Sequence, residues 1–112
     1  MTVDEIYSKI GQEMFNVIEG DVWTNARLEF KIVGNGVVGY TGEYIENSEV
    51  KNISIRNITR ELSVWIKELH EITTGGGNNK WNRAFFTINS GGNFGMEFIW
   101  DKELNDEIER LN

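Results

Sequence analysis

Residues 81–101 read Trp-Asn-Arg-Ala-Phe-Phe-Thr-Ile-Asn-Ser-Gly-Gly-Asn-Phe-Gly-Met-Glu-Phe-Ile-Trp-Asp, and no other stretch constrains the fold as much. Ala84, Phe86 and Ile88 recur at every second position. Ser90-Gly91-Gly92-Asn93 has the residues of a tight turn. Phe94, Met96, Phe98 and Trp100 then alternate on the return. A period of two is that of a β-strand, so the stretch predicts a hairpin with one strongly apolar face. Such a face has to be covered by another layer.

Helical patterns supply that layer. Thr2 and Glu5 have the spacing of a capping box. Val3, Ile6, Tyr7, Ile10, Met14, Val17 and Ile18 follow on one stripe at helical spacing. Asp4 and Glu5 suit the positive end of the helix dipole, and Gly20-Asp21 reads as the stop. Gly11 lies inside the stripe, either to let another element approach or at a cost of about 1 kcal/mol to the helix. A second helix is predicted from an Asn57 cap through Ile58, Leu62, Trp65, Ile66, Leu69 and Ile72. Thr73 to Asn79 would end it and link it to the hairpin. Asp101 can cap a short third helix carrying Leu104, Ile108 and Leu111.

Between the first two helices the period returns to two. Ala26, Leu28, Phe30 and Ile32 alternate with Arg27, Glu29 and Lys31, the pattern of a half-buried strand. Gly34-Asn35-Gly36 is a turn signal. Val38, Tyr40 and Tyr44 continue on a second strand, Glu46-Asn47-Ser48-Glu49 reads as a polar loop, and Val50–Ile55 as a weaker third strand. The order α-β-β-β-α-β-β-α predicts an α+β domain over residues 1–112. Its single five-stranded sheet would be mostly antiparallel, with the long helices on one face. The other face would show Arg27, Glu29, Lys31, Thr41, Glu43, Arg83, Phe85, Thr87, Glu97 and Ile99.

The 112 residues include no cysteine and carry a net charge of −7. No apolar run has the roughly 18–20 residues that span a bilayer, and the start lacks a signal-peptide pattern. A cytoplasmic protein is expected. The acidity weighs against nucleic acid and anionic membranes as partners and suits a basic protein. It also has the plain reading of aiding solubility.

No residue pattern marks a catalytic centre, and no cofactor or metal is expected. His70 is the only histidine and has no partner set, so a surface or boundary position is expected. Glu43, Glu46 and Glu49 recur every third residue, but without the ligand density of a calcium loop. Gly75-Gly76-Gly77 follows a helix and precedes a strand, the reverse of a phosphate cradle. Trp23, Trp81 and the tyrosines could stack bases, against the charge balance. Trp65 and Trp100 fall on core faces. Phe85 and Ile99, apolar on the outer face and ringed by charge, would suit an interface centre with a polar rim.

This layout resembles the YezG-like immunity proteins, small antitoxins of bacterial polymorphic toxin systems. The Ile6-Tyr7-x-x-Ile10 opening looks like theirs. So does the succession of Leu62–Ile72, a glycine-containing break, Trp81, the strand Ala84–Asn89, the glycine turn and Phe94–Asp101. Order is similar over nearly the whole chain, and residues over about its last third. Asn79-Lys80 stands where the family often has a proline before the tryptophan, and Phe94–Asp101 is less acidic than the family's return strand.

The resemblance implies a non-enzymatic antitoxin that binds the C-terminal domain of a cognate toxin, a basic nuclease being the fitting case, and covers its active site. Glu43, Glu46 and Glu49 would steer and orient, with Tyr44, Phe85 and Ile99 as apolar anchors and Glu97 also touching the partner. The chain itself would be a monomer or a weak homodimer. A self-associating adaptor and a small carboxylate-dependent enzyme are the alternatives.

Overall fold

A computed structural model describes residues 1–18, 22–33, 37–75 and 80–111. Thr2 opens helix α1 (Val3–Val17) with the expected capping box. Its hydroxyl accepts from the Glu5 amide at 3.2 Å, and the Glu5 carboxylate accepts from the Thr2 amide at 3.4 Å. Ile6, Ile10 and Met14 are fully buried along one stripe. The helix closes on the Ile18 amide, which donates to the Met14 carbonyl. The turn signals Gly20-Asp21 and Gly34-Asn35-Gly36, and residues 76–79 of the link, lie outside the described residues.

Strands β1 (Trp23–Val33), β2 (Val37–Glu46) and β3 (Glu49–Asn52) come next. A 3-10 turn (Ile55–Asn57) leads to α2 (Glu61–Thr74), then β4 (Arg83–Asn89), β5 (Phe94–Ile99) and α3 (Lys102–Leu111). The five strands form one sheet in the order β3-β2-β1-β4-β5, with every neighbouring pair antiparallel. The expected α+β architecture is therefore the observed one.

Strand β1 sits at the centre, paired with β2 from Asn25↔Ile45 to Val33↔Val37 and with β4 from Asn25↔Asn89 to Lys31↔Arg83. Opposed residues share a face, so Ala26, Leu28 and Phe30 lie beside Ala84, Phe86 and Ile88. All six are buried beneath the helices. A register shift between Trp23 and Asn25 gives β1 one extra residue. That bulge turns Trp23 onto the covered face, where its ring meets Phe15 edge-on at 5.3 Å.

Two hairpin turns follow from their residues. Asn47 and Ser48 both have positive φ, 52° and 65°, and join Glu46 directly to Glu49. This is the two-residue turn whose twist matches the strands. Across 89–93, the Gly92 amide donates to the Asn89 carbonyl and the Asn89 amide to the Asn93 carbonyl. Gly92, at φ +91°, occupies the bulge position that needs glycine.

Several expectations are corrected. The third strand stops at Asn52 rather than Ile55, because the next residue, Ile53, turns into the core. Asn57 does not cap α2; its amide closes the 3-10 turn on Ser54, and the helix starts at Glu61. Burying both Ile53 and Ile58 requires an irregular path, which the Glu13 carboxylate of α1 supports by accepting from the Thr59 amide at 2.9 Å. Leu62, Trp65, Ile66 and Leu69 are buried, but Ile72 lies beyond the core and is exposed.

On β5 the apolar alternation is present but the cover is partial: Met96 packs against the core and Tyr7 of α1 touches Phe94. Phe94, Phe98 and Trp100 are 48%, 37% and 46% exposed. Helix α1 lies over β4, where Gly11 faces Phe86 and Ile88, and α2 lies toward β2. Strand β5 is left at the margin of the helix layer. Nor does α3 cover it: no residue of α3 is buried, and Leu111 is 80% exposed.

Two glycines give opposite expectations. A Cβ on Gly11 would sit 3.5 Å from Ile88 Cδ1, an ordinary contact. Gly11→Ala should therefore stabilise the protein by up to about 1 kcal/mol through helix propensity. A Cβ on Gly42 would press at 3.0 Å on both Leu28 and Ile53. Gly42→Ala should cost about 1–3 kcal/mol. Urea denaturation of both variants reads the two signs, and a destabilised Gly11→Ala would refute the packing of α1 on β4.

Candidate functional site

The face of the sheet opposite the helices carries the ordered polar groups. Its residues follow from the register in rows across the strands. One row runs Asn52, Glu43, Arg27, Thr87, Gly95; the next Thr41, Glu29, Phe85, Glu97; a third Gly39, Lys31, Arg83, Ile99. Every residue expected on this face is there, because burial of Ala26, Leu28 and Phe30 fixes the parity of β1 and its partners.

Two features organise these side chains. The Arg27 guanidinium lies over the Phe85 ring, 4.0 Å from its centroid. This cation–π contact covers the phenyl and fixes the guanidinium. One row further on, Arg83 Nη1 donates to Glu29 at 2.7 Å and Nε to Asp101 at 2.6 Å. An isolated exposed ion pair contributes little, but a guanidinium shared by two carboxylates holds all three groups in one geometry.

Asp101 also anchors α3. Its second carboxylate oxygen accepts from the Leu104 amide at 3.0 Å, the N-cap bond expected from the sequence. Its backbone is clamped to Asn82, the one buried polar residue among the described residues. The Asn82 amide donates to the Asp101 carbonyl and accepts from the Asp101 amide, both at 2.7 Å. The Leu104 amide above all, then Arg83, hold the Asp101 carboxyl below the usual range.

Two hollows open on this face and share Arg27 and Glu43. The larger, about 480 Å³, extends toward Asn25, Ile45, Asn89 and Phe94. The smaller, about 220 Å³, adds Glu29, Thr41 and Asn52. Donors, acceptors and an aromatic ring are thus displayed on an open, shallow surface. Among the described residues no group of three or more His, Asp or Glu is placed to hold a metal ion, and no helix is long and apolar enough to cross a membrane.

The seven residues expected to touch a partner do not form one patch. Glu43, Phe85, Glu97 and Ile99 share the open face. Tyr44 is on the opposite face, half-buried against the core. Glu46 and Glu49 lie on that same side, at the β2–β3 turn. The Glu46 carboxylate accepts from Lys51 Nζ at 2.8 Å, and that bond raises the Lys51 ammonium above its ordinary range. An i, i+3 spacing predicts a cluster on a loop; the two-residue turn makes these residues strand, where odd and even positions part.

The tryptophans also need re-placing. Trp23 and Trp81 are buried and offer no ring to a base, while Trp100, expected in the core, is exposed. Half-buried His70 is a structural neighbour of Trp81: its Nε2 lies 2.9 Å from the Trp81 carbonyl oxygen. The Trp81 indole N–H donates to Thr73.

The open face does not share the acidity of the chain as a whole: Arg27, Lys31 and Arg83 balance Glu29, Glu43 and Glu97 on it. Residues 101–111, by contrast, hold five acidic against two basic side chains. Alternation alone could not reveal the Arg27–Phe85 contact or the Arg83 bridge, since both depend on the register between β1 and β4. No protein-family model and no curated protein matches the chain.

The lowered Asp101 carboxyl has a pH consequence. Its stabilisation is fully present above the unfolded value of about 3.9 and is lost as pH falls through the lower folded value. Asp101→Asn can still cap α3 but cannot titrate. Thermal midpoints from pH 7 downward should show the variant less stable at neutrality and converging on the parent in acid. A constant difference across that range would exclude the linkage.

Proposed function

We propose that this protein is an immunity protein: it binds the C-terminal domain of a cognate bacterial toxin in the cytoplasm and blocks it by covering its active site. The reading rests on the resemblance of residues 6–10, 62–72 and 81–101 to YezG-like antitoxins. One structural observation carries it further. One sheet face is left uncovered by the described helices, with Arg27, Glu29 and Arg83 on it already held in place by the Arg27–Phe85 and Glu29–Arg83–Asp101 contacts. Groups fixed before encounter lose little entropy on binding, which favours a tight, passive inhibitor.

The chain's negative field would attract a basic surface such as the substrate groove of a nuclease and speed encounter. Near-balanced charge on the open face would then set the register of docking. A protein partner, rather than nucleic acid or a membrane, follows from the sign of the field. The protein acts by occupying a site, without bond-making of its own. Glu43 and Glu97 orient the partner. Phe85, under its Arg27 cover, and Ile99 provide the apolar centre, within a specific complex of about 1,600 Å².

The test takes the C-terminal domain of the large secreted polypeptide that this reading expects to be encoded beside the gene. It should co-purify with the protein, and cells producing it should survive only when the protein is present. Glu43→Lys with Glu97→Lys should slow association about tenfold at low salt and much less at high salt. Glu71→Lys on the helix side should change little. Equal killing with and without this protein would end the reading.

A further inference from the structure

We propose that two copies of this chain join edge to edge through β5, forming one ten-stranded sheet about a two-fold axis at Met96. The observations lie in β5 alone, so the inference stands apart from the toxin reading.

Strand β5 ends the sheet. The Asn89 amide bonds to the Asn93 carbonyl, and the pairs Thr87↔Gly95, Phe85↔Glu97 and Arg83↔Ile99 continue that parity. The odd residues of β5 therefore turn their peptide groups to β4. Those of Phe94, Met96 and Phe98 point outward, as alternation in an antiparallel ladder requires. Among the described residues no other backbone or side chain hydrogen-bonds to these outward groups.

The two edges of the sheet differ in protection. Strand β3 has four residues, carries Glu49 and Lys51, and is closed by a tight turn. Strand β5 has six residues, with no lysine, no proline and one charge, Glu97. An unblunted edge of this kind is a template for another strand.

The side chains of β5 make a second β5 the fitting occupant. Read outward from Met96, the sequence is symmetric in its aromatics: Phe94 and Phe98 stand two residues to either side. Antiparallel pairing about Met96 places Phe94 against Phe98 of the second copy, twice, and Met96 against itself. Three outward-facing pairs would give about six backbone hydrogen bonds. On the open face the same register sets Glu97 against Gly95, which has no side chain to oppose it. Shifting the axis to residue 97 would place the two Glu97 carboxylates directly opposite each other, which is unfavourable.

The aromatic rings are already positioned. Phe94 stacks on Phe86 at 5.6 Å and meets Tyr7 edge-on at 5.9 Å; Phe98 lies 4.9 Å from Trp81. Little side-chain freedom is left to lose on docking. The axis stands normal to the sheet, so both helix layers fall on one side and both open faces on the other. Six residues a side make a small interface and two chains of −7 repel, so the dimer is weak, in the micromolar range, and tightens with added salt.

Gly95 provides a register-specific test, since a Cβ there meets only Thr87 Oγ1 at 3.7 Å and the monomer tolerates a side chain. Sedimentation equilibrium of the full chain up to about 500 µM should show a monomer–dimer equilibrium. Gly95→Lys, opposite Glu97 of the second copy, should lower the dissociation constant about tenfold, and Gly95→Glu should raise it about tenfold. Val64→Lys and Val64→Glu, which change net charge equally on the exposed side of α2, should each move it less than about twofold. Met96→Pro, which removes only an outward N–H, should abolish the dimer and leave the circular dichroism of the fold intact. A monomer at every concentration, Gly95 variants that shift in the same direction, or a dimer that survives Met96→Pro would overturn the proposal.

Discussion

Half-burial of the central strand is the constraint from which the rest of this structure follows. Strand β1 pairs on both sides, and only its Ala26, Leu28 and Phe30 face enters the core. Sliding it by one residue would drive Arg27 and Glu29 under the helices, so the register is strongly specified. Once β1 is set, its pairings assign a face to each paired residue of β2 and β4, and through them of β3 and β5. The helix side becomes a packed interior of Ile, Leu, Phe and Trp. The other side becomes an ordered field of side chains that were excluded from it.

That division explains what could be read from the sequence and what could not. The hairpin of β4 and β5, the half-buried β1, the stripe of α1 and its capping box are all local periodicities, each visible within a short continuous stretch of the chain. The membership of the open face was legible for the same reason. Neighbourhood on that face was not. Arg27 meets Phe85, and Glu29 meets Arg83, only because residues from β1 and β4 are brought together by a long-range pairing. The misplacement of Glu46 and Glu49 has a different origin. A polar four-residue segment reads as loop, yet positive φ at Asn47 and Ser48 compresses the reversal into two residues and returns both glutamates to the strands.

Coverage was the other quantity that periodicity could not supply. Phe94, Phe98 and Trp100 have the spacing of core residues, but whether a helix lies above them depends on where α1 comes to rest. Contact of α1 with β4 through Gly11 settles that, and it leaves the last strand at the margin. The charge distribution is similarly three-dimensional. A net −7 describes the whole chain, whereas the open face is neutral and the acidic excess is spread over all three helices.

The pairing of β1 with β4 also bears on how this chain reaches its native state. The β1–β2 and β4–β5 ladders join segments close in sequence, and such hairpins form within microseconds. The ladder that unites them opposes Asn25 to Asn89, residues more than half the chain length apart. Closing so distant a contact carries a loop entropy that no local bond offsets, which makes this docking the step expected to limit folding. Until it occurs, the nascent polypeptide is two sticky half-sheets, and its exposure to misassembly is greatest in that interval.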